Sequence, residues 1–117
     1  MTYEFDPTPA ERSILGQIRV NQSNGKYNIL FGGESFEDFV TFPVWSGRRW
    51  HGHLTHAAGA YQFEPATWAW VAEQAGLSDF TPESQDIGAL WLLRHADQQS
   101  QWGTNFTDDG FVYVFAA

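Results

Sequence analysis

The sequence predicts one α+β domain, mostly helical with a small sheet. Its 117 residues suit a single domain with a real core. Three segments carry helix-start signals, each with a proline at the start. Aromatic and β-branched runs next to turn residues indicate short strands. Because no internal repeat or linker divides the chain, residues 1–117 are expected to form one domain.

The first predicted helix has the clearest boundaries. Thr8 is suited to cap it, Pro9 fits its first position, and Glu11 stands at capping-box spacing. The polar run at residues 21–25 (NQSNG) is typical of a helix end followed by a turn. Gln22 is therefore expected in the last turn or just beyond it.

Two further helices follow in the second half of the chain. One begins at Pro65 and is stopped by Gly76, which is suited to a left-handed C-terminal cap. The other begins after Thr81 and turns polar near residues 96–101. Both have apolar residues at helical spacing, so both are expected to pack against a core.

The strand signals are shorter and less regular. Residues 27–31 (YNILF) precede a Gly pair and predict a short strand that enters a turn. Residues 34–56 are rich in aromatics and broken by Pro and Gly, which predicts either a long loop or a small sheet. Residues 109–115 predict a turn followed by a strand.

Composition excludes several classes of protein. The net charge is −8, and the six basic residues form no run longer than Arg48–Arg49, so nucleic-acid binding is not expected. No apolar run is long enough to span a bilayer, and the acidic, Pro-broken start predicts no secretory signal. Without Cys there is no disulfide and no thiolate metal site. Six Trp suggest a carbohydrate or a protein partner.

Three histidines lie close together along the chain, at His51, His53 and His56. Three imidazoles can hold zinc with one position open, as in a metal hydrolase. The alternative is a loop with polar tips, and no HExxH pattern or acidic ligand at metal spacing accompanies them. We therefore expect no metal and no cofactor, and keep this trio as the alternative.

Acidic residues around the aromatic segment offer a second kind of chemistry. A glycosidase needs a carboxyl group poised as an acid. Four acids flank the segment: Glu34, Glu37, Asp38 and Glu64. On composition alone, each is expected to be a solvated surface charge.

Three blocks of the sequence resemble a known family. Residues 58–68 (AGAYQFEPATW) resemble a signature of lysozyme-like lytic transglycosylases. Residues 76–86 (GLSDFTPESQD) and 27–36 (YNILFGGESF) are similar to runs in phage lambda-type endolysins. The likeness covers about residues 13–93, with the three blocks in the same order and at similar spacing.

This resemblance implies a lysozyme-like fold, with a mainly helical body and a small β-wing flanking a glycan-binding cleft. It also implies action on peptidoglycan glycan strands, with chitooligosaccharide-like ligands possible. In the family, a Glu at the end of the first long helix protonates the glycosidic oxygen. It then acts as base while the sugar's 6-hydroxyl closes a 1,6-anhydro ring. Gln22 stands at that position here, and a carboxamide cannot perform this proton transfer.

The chain is therefore expected to bind glycan and to cleave it poorly. One explanation is a Glu→Gln change that inactivates a lytic transglycosylase. The alternatives are a non-catalytic peptidoglycan-binding or phage tail-associated module, and a hydrolytic muramidase of the same fold. Glu34 is the alternative acid, although the endolysins carry a Glu at the matching position without using it in this way.

The remaining site residues are expected to bind substrate. The matched motifs and the aromatic segment point to Ser23, Asp38, Trp50, Tyr61 and Gln62. For three of them another interpretation stays open: Tyr61 as a core residue, Gln62 as a turn cap, and Trp50 as a buried packing residue.

The family also sets expectations about the setting. A phage-encoded lysin without a signal peptide is made in the host cytoplasm and acts on the cell wall or periplasm. The sequence departs from the family pattern after about residue 95. The charge of −8 also departs from expectation, because a wall-directed enzyme gains from basic steering towards anionic peptidoglycan.

Overall fold

Residues 1–95 are described by the structure, a computed structural model of the chain, and they form three helices and one hairpin. The elements are α1 (Pro9–Ser23), β1 (Arg48–Trp50), β2 (His53–Thr55), α2 (Pro65–Ala75) and α3 (Pro82–Arg94). The prediction of a mostly helical fold with a small sheet is confirmed. The polar stretch at 96–101 and the strand predicted at 109–115 lie outside the described residues.

The helix boundaries agree with their sequence signals. At the start of α1, the Glu11 N–H donates to Thr8 Oγ1 (3.1 Å) and the Thr8 N–H donates to Glu11 Oε1 (2.9 Å), which completes a capping box. Gly76 ends α2 in the left-handed region (φ 72°). Thr81 Oγ1 caps α3 by accepting from the Ser84 N–H. No helix within residues 1–95 is both long and apolar enough to cross a membrane.

Helix α3 packs against both α1 and α2 and lies at the centre of the core. Gly88 allows the close approach of α2, because a Cβ there would lie 2.7 Å from Cζ3 of Trp68. The largest fully buried apolar side chains are Tyr61, Phe63, Phe80, Leu15, Leu90, Leu92 and Val71.

A buried amide links α3 to the loops in front of it. Gln85 is fully buried, and its Oε1 accepts from the Ala60 N–H (2.8 Å). Its Nε2 donates to the carbonyls of Phe80 (2.8 Å) and Tyr27 (3.2 Å). Since one side chain satisfies three backbone groups, it fixes residues 57–63 against the helical body.

The strand predicted at residues 27–31 is wrong in extent. Only single bridges form there, Ile29 with Ser35 and Leu30 with Ala58. The reason lies in Gly32 and Gly33, whose backbones adopt φ values of 102° and 106° and turn the chain before a ladder extends.

Residues 34–56 contain both of the predicted alternatives, an irregular loop and a small sheet. In the hairpin at its end, Arg48 pairs with Thr55 and Trp50 with His53, antiparallel. The two turn residues, His51 (φ 50°) and Gly52 (φ 80°), both lie in the left-handed region, as a two-residue type I′ turn requires.

Candidate functional site

An open cleft of about 420 Å³ lies beside the end of α1. Its walls come from residues 20–24, Lys26, residues 29–33 and Gln62. Gln22 lies in the last turn of α1 and lines this cleft, as the sequence predicts for its place in the helix. Among the predicted site residues, the structure brings Gln22, Ser23 and Gln62 together.

Helix α1 ends at Ser23, one residue after Gln22, because the backbone turns away at Asn24. Asn24 adopts the left-handed region (φ 56°), and its N–H donates to the Val20 carbonyl (3.2 Å). The Gly25 N–H donates to the Arg19 carbonyl (3.0 Å). These bonds satisfy carbonyls that a helix end leaves without partners, and they fix where residue 22 stands.

Ser23 is buried, and its hydroxyl is used inside the protein. Its Oγ lies 3.0 Å from the Arg19 carbonyl and 2.9 Å from the Ala60 carbonyl, so it joins α1 to residues 57–63. Although Ser23 lines the cleft, this geometry gives its hydroxyl a positioning role. Contact between Ser23 and a glycan stays a prediction.

Tyr61 lies in the core, and its hydroxyl connects a residue of α1 with a residue of α3. Arg19 Nη1 donates to the Tyr61 hydroxyl (2.7 Å), which donates to Asp86 Oδ1 (2.5 Å). The Tyr27 hydroxyl donates to the same carboxylate (2.9 Å). Burial raises the pKa of Tyr61 strongly and that of Tyr27 to about 12, with the Asp86 carboxylate adding to both shifts. Both hydroxyls therefore stay protonated at neutral pH. Of the two interpretations of Tyr61 from the sequence, substrate binding and core packing, the structure places it in the core.

Gln62 reaches the cleft from a constrained turn. It has a left-handed backbone (φ 54°), which is uncommon for a residue with a side chain. Its Nε2 donates to the Gly59 carbonyl (2.8 Å) and to the Ile29 carbonyl (3.3 Å). The side chain therefore caps the turn, as the alternative interpretation states, while the residue also lines the cleft.

Asp38, Glu34 and Trp50 stand outside the cleft lining. Asp38 is exposed and its carboxylate accepts from the Val40 N–H (2.7 Å), closing a local turn. Glu34 is exposed, next to the Gly pair. Trp50 is half-buried in β1, and its ring meets the edge of Phe31, a cleft residue, at a centroid distance of 6.0 Å. Their contacts with substrate stay predictions.

The three histidines do not converge on one point. His51 and His53 are exposed at the tip of the hairpin, while His56 is half-buried beside Trp45, with 6.1 Å between ring centroids. Within residues 1–95 no group of three His, Asp or Glu side chains is arranged to hold a metal ion. The zinc alternative therefore has no structural support in the described part of the chain.

Glu64 corrects the expectation that it is a solvated charge. It is 8% exposed, and its carboxylate accepts from the Thr55 hydroxyl and from the His56 N–H (3.1 Å). Glu64 precedes α2, and its side chain turns back to fasten the end of β2. Sequence reasoning also missed Arg19 and Asp86, because helical spacing alone does not show that they meet.

The chain is similar to known proteins over most of its length. A family model described as endolysin matches residues 11–103. The endolysin of Escherichia phage lambda is 35% identical over 76 residues, which is 65% of this chain and 48% of that protein. The chain thus spans about half the length of that curated relative.

Two solved structures share the fold. One is bacteriophage lambda lysozyme complexed with a chitohexasaccharide, with a TM-score of 0.69 and 24% identity, and the other is lysozyme from bacteriophage lambda, with a TM-score of 0.70 and 23% identity. Both superpose on 86% of this chain and on 71% of the other. They place the helices and hairpin in a lambda lysozyme-like fold. The family model, which matches residues 11–103, shows that the chain belongs to the endolysin family.

Proposed function

We propose that this chain binds peptidoglycan glycan strands in the cleft at the end of α1, as a lytic transglycosylase inactivated at position 22. The observation that carries the proposal is the position of Gln22, in the last turn of α1 and in the wall of the cleft. The chitohexasaccharide bound to the lambda lysozyme supports a glycan as the ligand class.

The proposed reaction needs one carboxyl group at residue 22. As an acid it protonates the glycosidic oxygen while the bond from C1 to that oxygen breaks. As a base it then takes the proton of the 6-hydroxyl, whose oxygen bonds to C1 and closes the 1,6-anhydro ring. The proton count balances and no water is consumed. A carboxamide supplies neither step, and losing general acid–base catalysis costs about 100- to 10,000-fold in rate.

The surroundings of Gln22 offer no substitute acid. The described residues that line the cleft include no Asp or Glu. Glu34 is exposed and is not among the lining residues, and the Glu64 carboxylate is already engaged with Thr55 and His56. These observations support binding without efficient cleavage.

The remaining parts of the proposal follow from the family. We treat residues 1–117 as one lysozyme-like domain made in the host cytoplasm and acting on the cell wall. A binding-only module is the second candidate, and Gln22 is the observation that favours it. The two candidates differ in one respect: an enzyme recovers when the carboxylate is restored, whereas a binding module does not.

Clearing of purified cell walls by the Gln22→Glu variant tests the proposal. The variant is expected to clear walls at least 100-fold faster than the parent chain, by the magnitude given for general acid–base catalysis. Gln17→Glu is the matched control, since it adds the same charge to the exposed side of the same helix, outside the cleft. It should leave clearing unchanged.

The products and the failures are equally informative. Fragments with 1,6-anhydro ends indicate a transglycosylase, whereas reducing ends that incorporate water indicate a muramidase. If Gln22→Glu binds glycan and leaves walls intact, the binding module is the correct function. If neither form binds glycan, both candidates fail.

A further inference from the structure

Charge is distributed unevenly around the cleft. The whole chain carries a net charge of −8. Yet Lys26 is the one charged residue among the described residues that line the cleft, and position 22 carries a neutral amide. The described lining therefore carries one positive and no negative side-chain charge, within an acidic protein. Net charge, which argues against an anionic ligand, does not describe this surface.

A second cation stands over the opposite wall. A Cβ added to Gly32, which lines the cleft, would lie 2.5 Å from Nη1 and 2.8 Å from Cδ of Arg48. Trp50, two residues further along β1, packs against Phe31 of the same wall. Because alternate residues of a strand point to one face, Arg48 and Trp50 share the face towards the cleft, and Arg49 points to the other.

Both cations are available to a ligand. Arg19 and Arg94 are held in ion pairs with carboxylates. Lys26 and Arg48 are exposed, and the structure gives them no carboxylate partner within residues 1–95. Two separated, uncompensated cations beside a cleft attract a ligand that carries repeated negative charges.

We propose that Lys26 and Arg48 are specificity-determining residues that bind carboxylates on the glycan strand. The proposal rests on the proposed function, since it assumes that the strand lies in the cleft. Muramic acid carries a lactyl carboxylate when it is free of peptide, and stem peptides carry carboxylates of their own, whereas chitooligosaccharides carry none. The cleft thus selects muramyl glycan over neutral chitin-like chains.

The test is a binding measurement with matched ligands, on the chain as it is, because Gln22 leaves the ligands intact. Three hexasaccharides are compared by calorimetry: chitohexaose, peptide-free muramyl glycan, and the same glycan with its lactyl carboxylates converted to methylamides. A fourth ligand, muramyl glycan with stem peptides, separates the two sources of carboxylate. The carboxylated ligands should bind more tightly than the neutral ones, and added salt should remove this advantage.

Charge removal then locates the effect. Lys26→Gln and Arg48→Gln should each weaken binding of the carboxylated ligand by about two- to fivefold, the range of exposed charge pairs, and leave chitohexaose binding unchanged. Arg49→Gln is the control, because it removes the same charge from the opposite face of the same strand. All three positions are exposed, so circular dichroism should show unchanged folding.

Each result has a defined meaning. If methylamide and carboxylate ligands bind equally, or if Arg49→Gln weakens binding as much as Arg48→Gln, the inference is overturned and glycan binding stands. If no hexasaccharide binds, the proposed function falls and the inference with it.

Discussion

The two sides of the cleft are built in different ways. The helical wall, residues 19–24, is tied to the core through the buried Ser23 hydroxyl and through Arg19, which reaches Tyr61 and Asp86. The opposite side, called the hairpin wall, consists of residues 29–33, which line the cleft, and of the hairpin at residues 48–55, which lies outside the lining. The hairpin is held by the contact between the Trp50 and Phe31 rings and by the Glu64 carboxylate. The proton transfer that we propose for a carboxyl group at residue 22 needs an atom held in place. The proposed recognition of a long glycan strand tolerates more movement at the edge of the cleft.

The largest expected effect is a loss of stability when the Asp86 carboxylate, which ties the helical wall to the core, is removed. Asp86→Ala leaves the Arg19 guanidinium and the hydroxyls of Tyr27 and Tyr61 without their shared acceptor. The free energy of unfolding should fall by about 2–3 kcal/mol, below the cost at a fully buried pair because Asp86 and Arg19 are about a quarter exposed. Urea unfolding measures this change.

Glu83→Ala is the control for that variant. It removes a carboxylate from an exposed position of the same helix, where the expected change is within about 0.5 kcal/mol. Equal losses for Asp86→Ala and Glu83→Ala would mean that the Asp86 network does not hold the helical wall.

Removal of the Glu64 carboxylate should destabilise the hairpin wall, with a smaller loss of stability than at Asp86. Glu64→Ala deprives the Thr55 hydroxyl and the His56 N–H of their acceptor, and the expected loss is about 1–2 kcal/mol. Amide exchange should accelerate at residues 48–56 and stay slow in α1 and α3. Glu73→Ala, at an exposed position on α2, is the control. Faster exchange throughout the chain would show that the two walls unfold as one unit.

These two walls also differ in how well the sequence predicts them. The ends of α1 are encoded locally, in the Thr8 cap, the capping-box Glu11 and the polar run at 21–25, so the place of Gln22 follows from the chain alone. The fastening of the hairpin depends on Glu64, whose partners lie eight and nine residues away and give no periodic signal. The same holds for Arg48, whose position over Gly32 is a tertiary contact that no spacing rule predicts.

Two glycine substitutions, one in α1 and one in the hairpin, should change the stability of the protein in opposite directions. Gly16 lies within α1, and an added Cβ would meet only an arginine tip at 3.6 Å, so Gly16→Ala should stabilise the protein by about 0.5–1 kcal/mol. Gly52 holds the hairpin turn at φ 80°, so Gly52→Ala should destabilise it by about 1 kcal/mol through backbone strain. Thermal unfolding measures both. A Gly52→Ala variant that melts no lower than the parent chain would mean that the turn does not need its left-handed conformation, and a Gly16→Ala variant that melts lower would mean that α1 has no room for the added methyl group.

The smallest expected effect is a pH dependence of stability at the N-terminal end of α1, where Glu11 lies in the first turn. Hydrogen bonds from Arg94, and then from the Thr8 N–H, lower the pKa of Glu11 from its ordinary 4.5 to about 2. Since the folded state holds the proton less tightly than the unfolded chain, the contribution of this carboxylate is fully present above about pH 4.5. It is lost as pH falls towards 2.

Glu11→Gln isolates that contribution, because a Gln at this position keeps the capping box while removing the charge that Arg94 binds. The parent chain should melt above the variant at pH 6, and the two melting temperatures should converge as the pH is lowered to 2. The gap should be small because both side chains keep access to solvent, Glu11 being 20% and Arg94 25% exposed, and solvent screens their attraction. Glu4→Gln, an exposed substitution in the same N-terminal segment, should match the parent chain at both pH values. A gap for Glu11→Gln that persists at pH 2 would assign its effect to the cap rather than to the ion pair with Arg94, and the N-terminal end of α1 would then be held by local bonds alone.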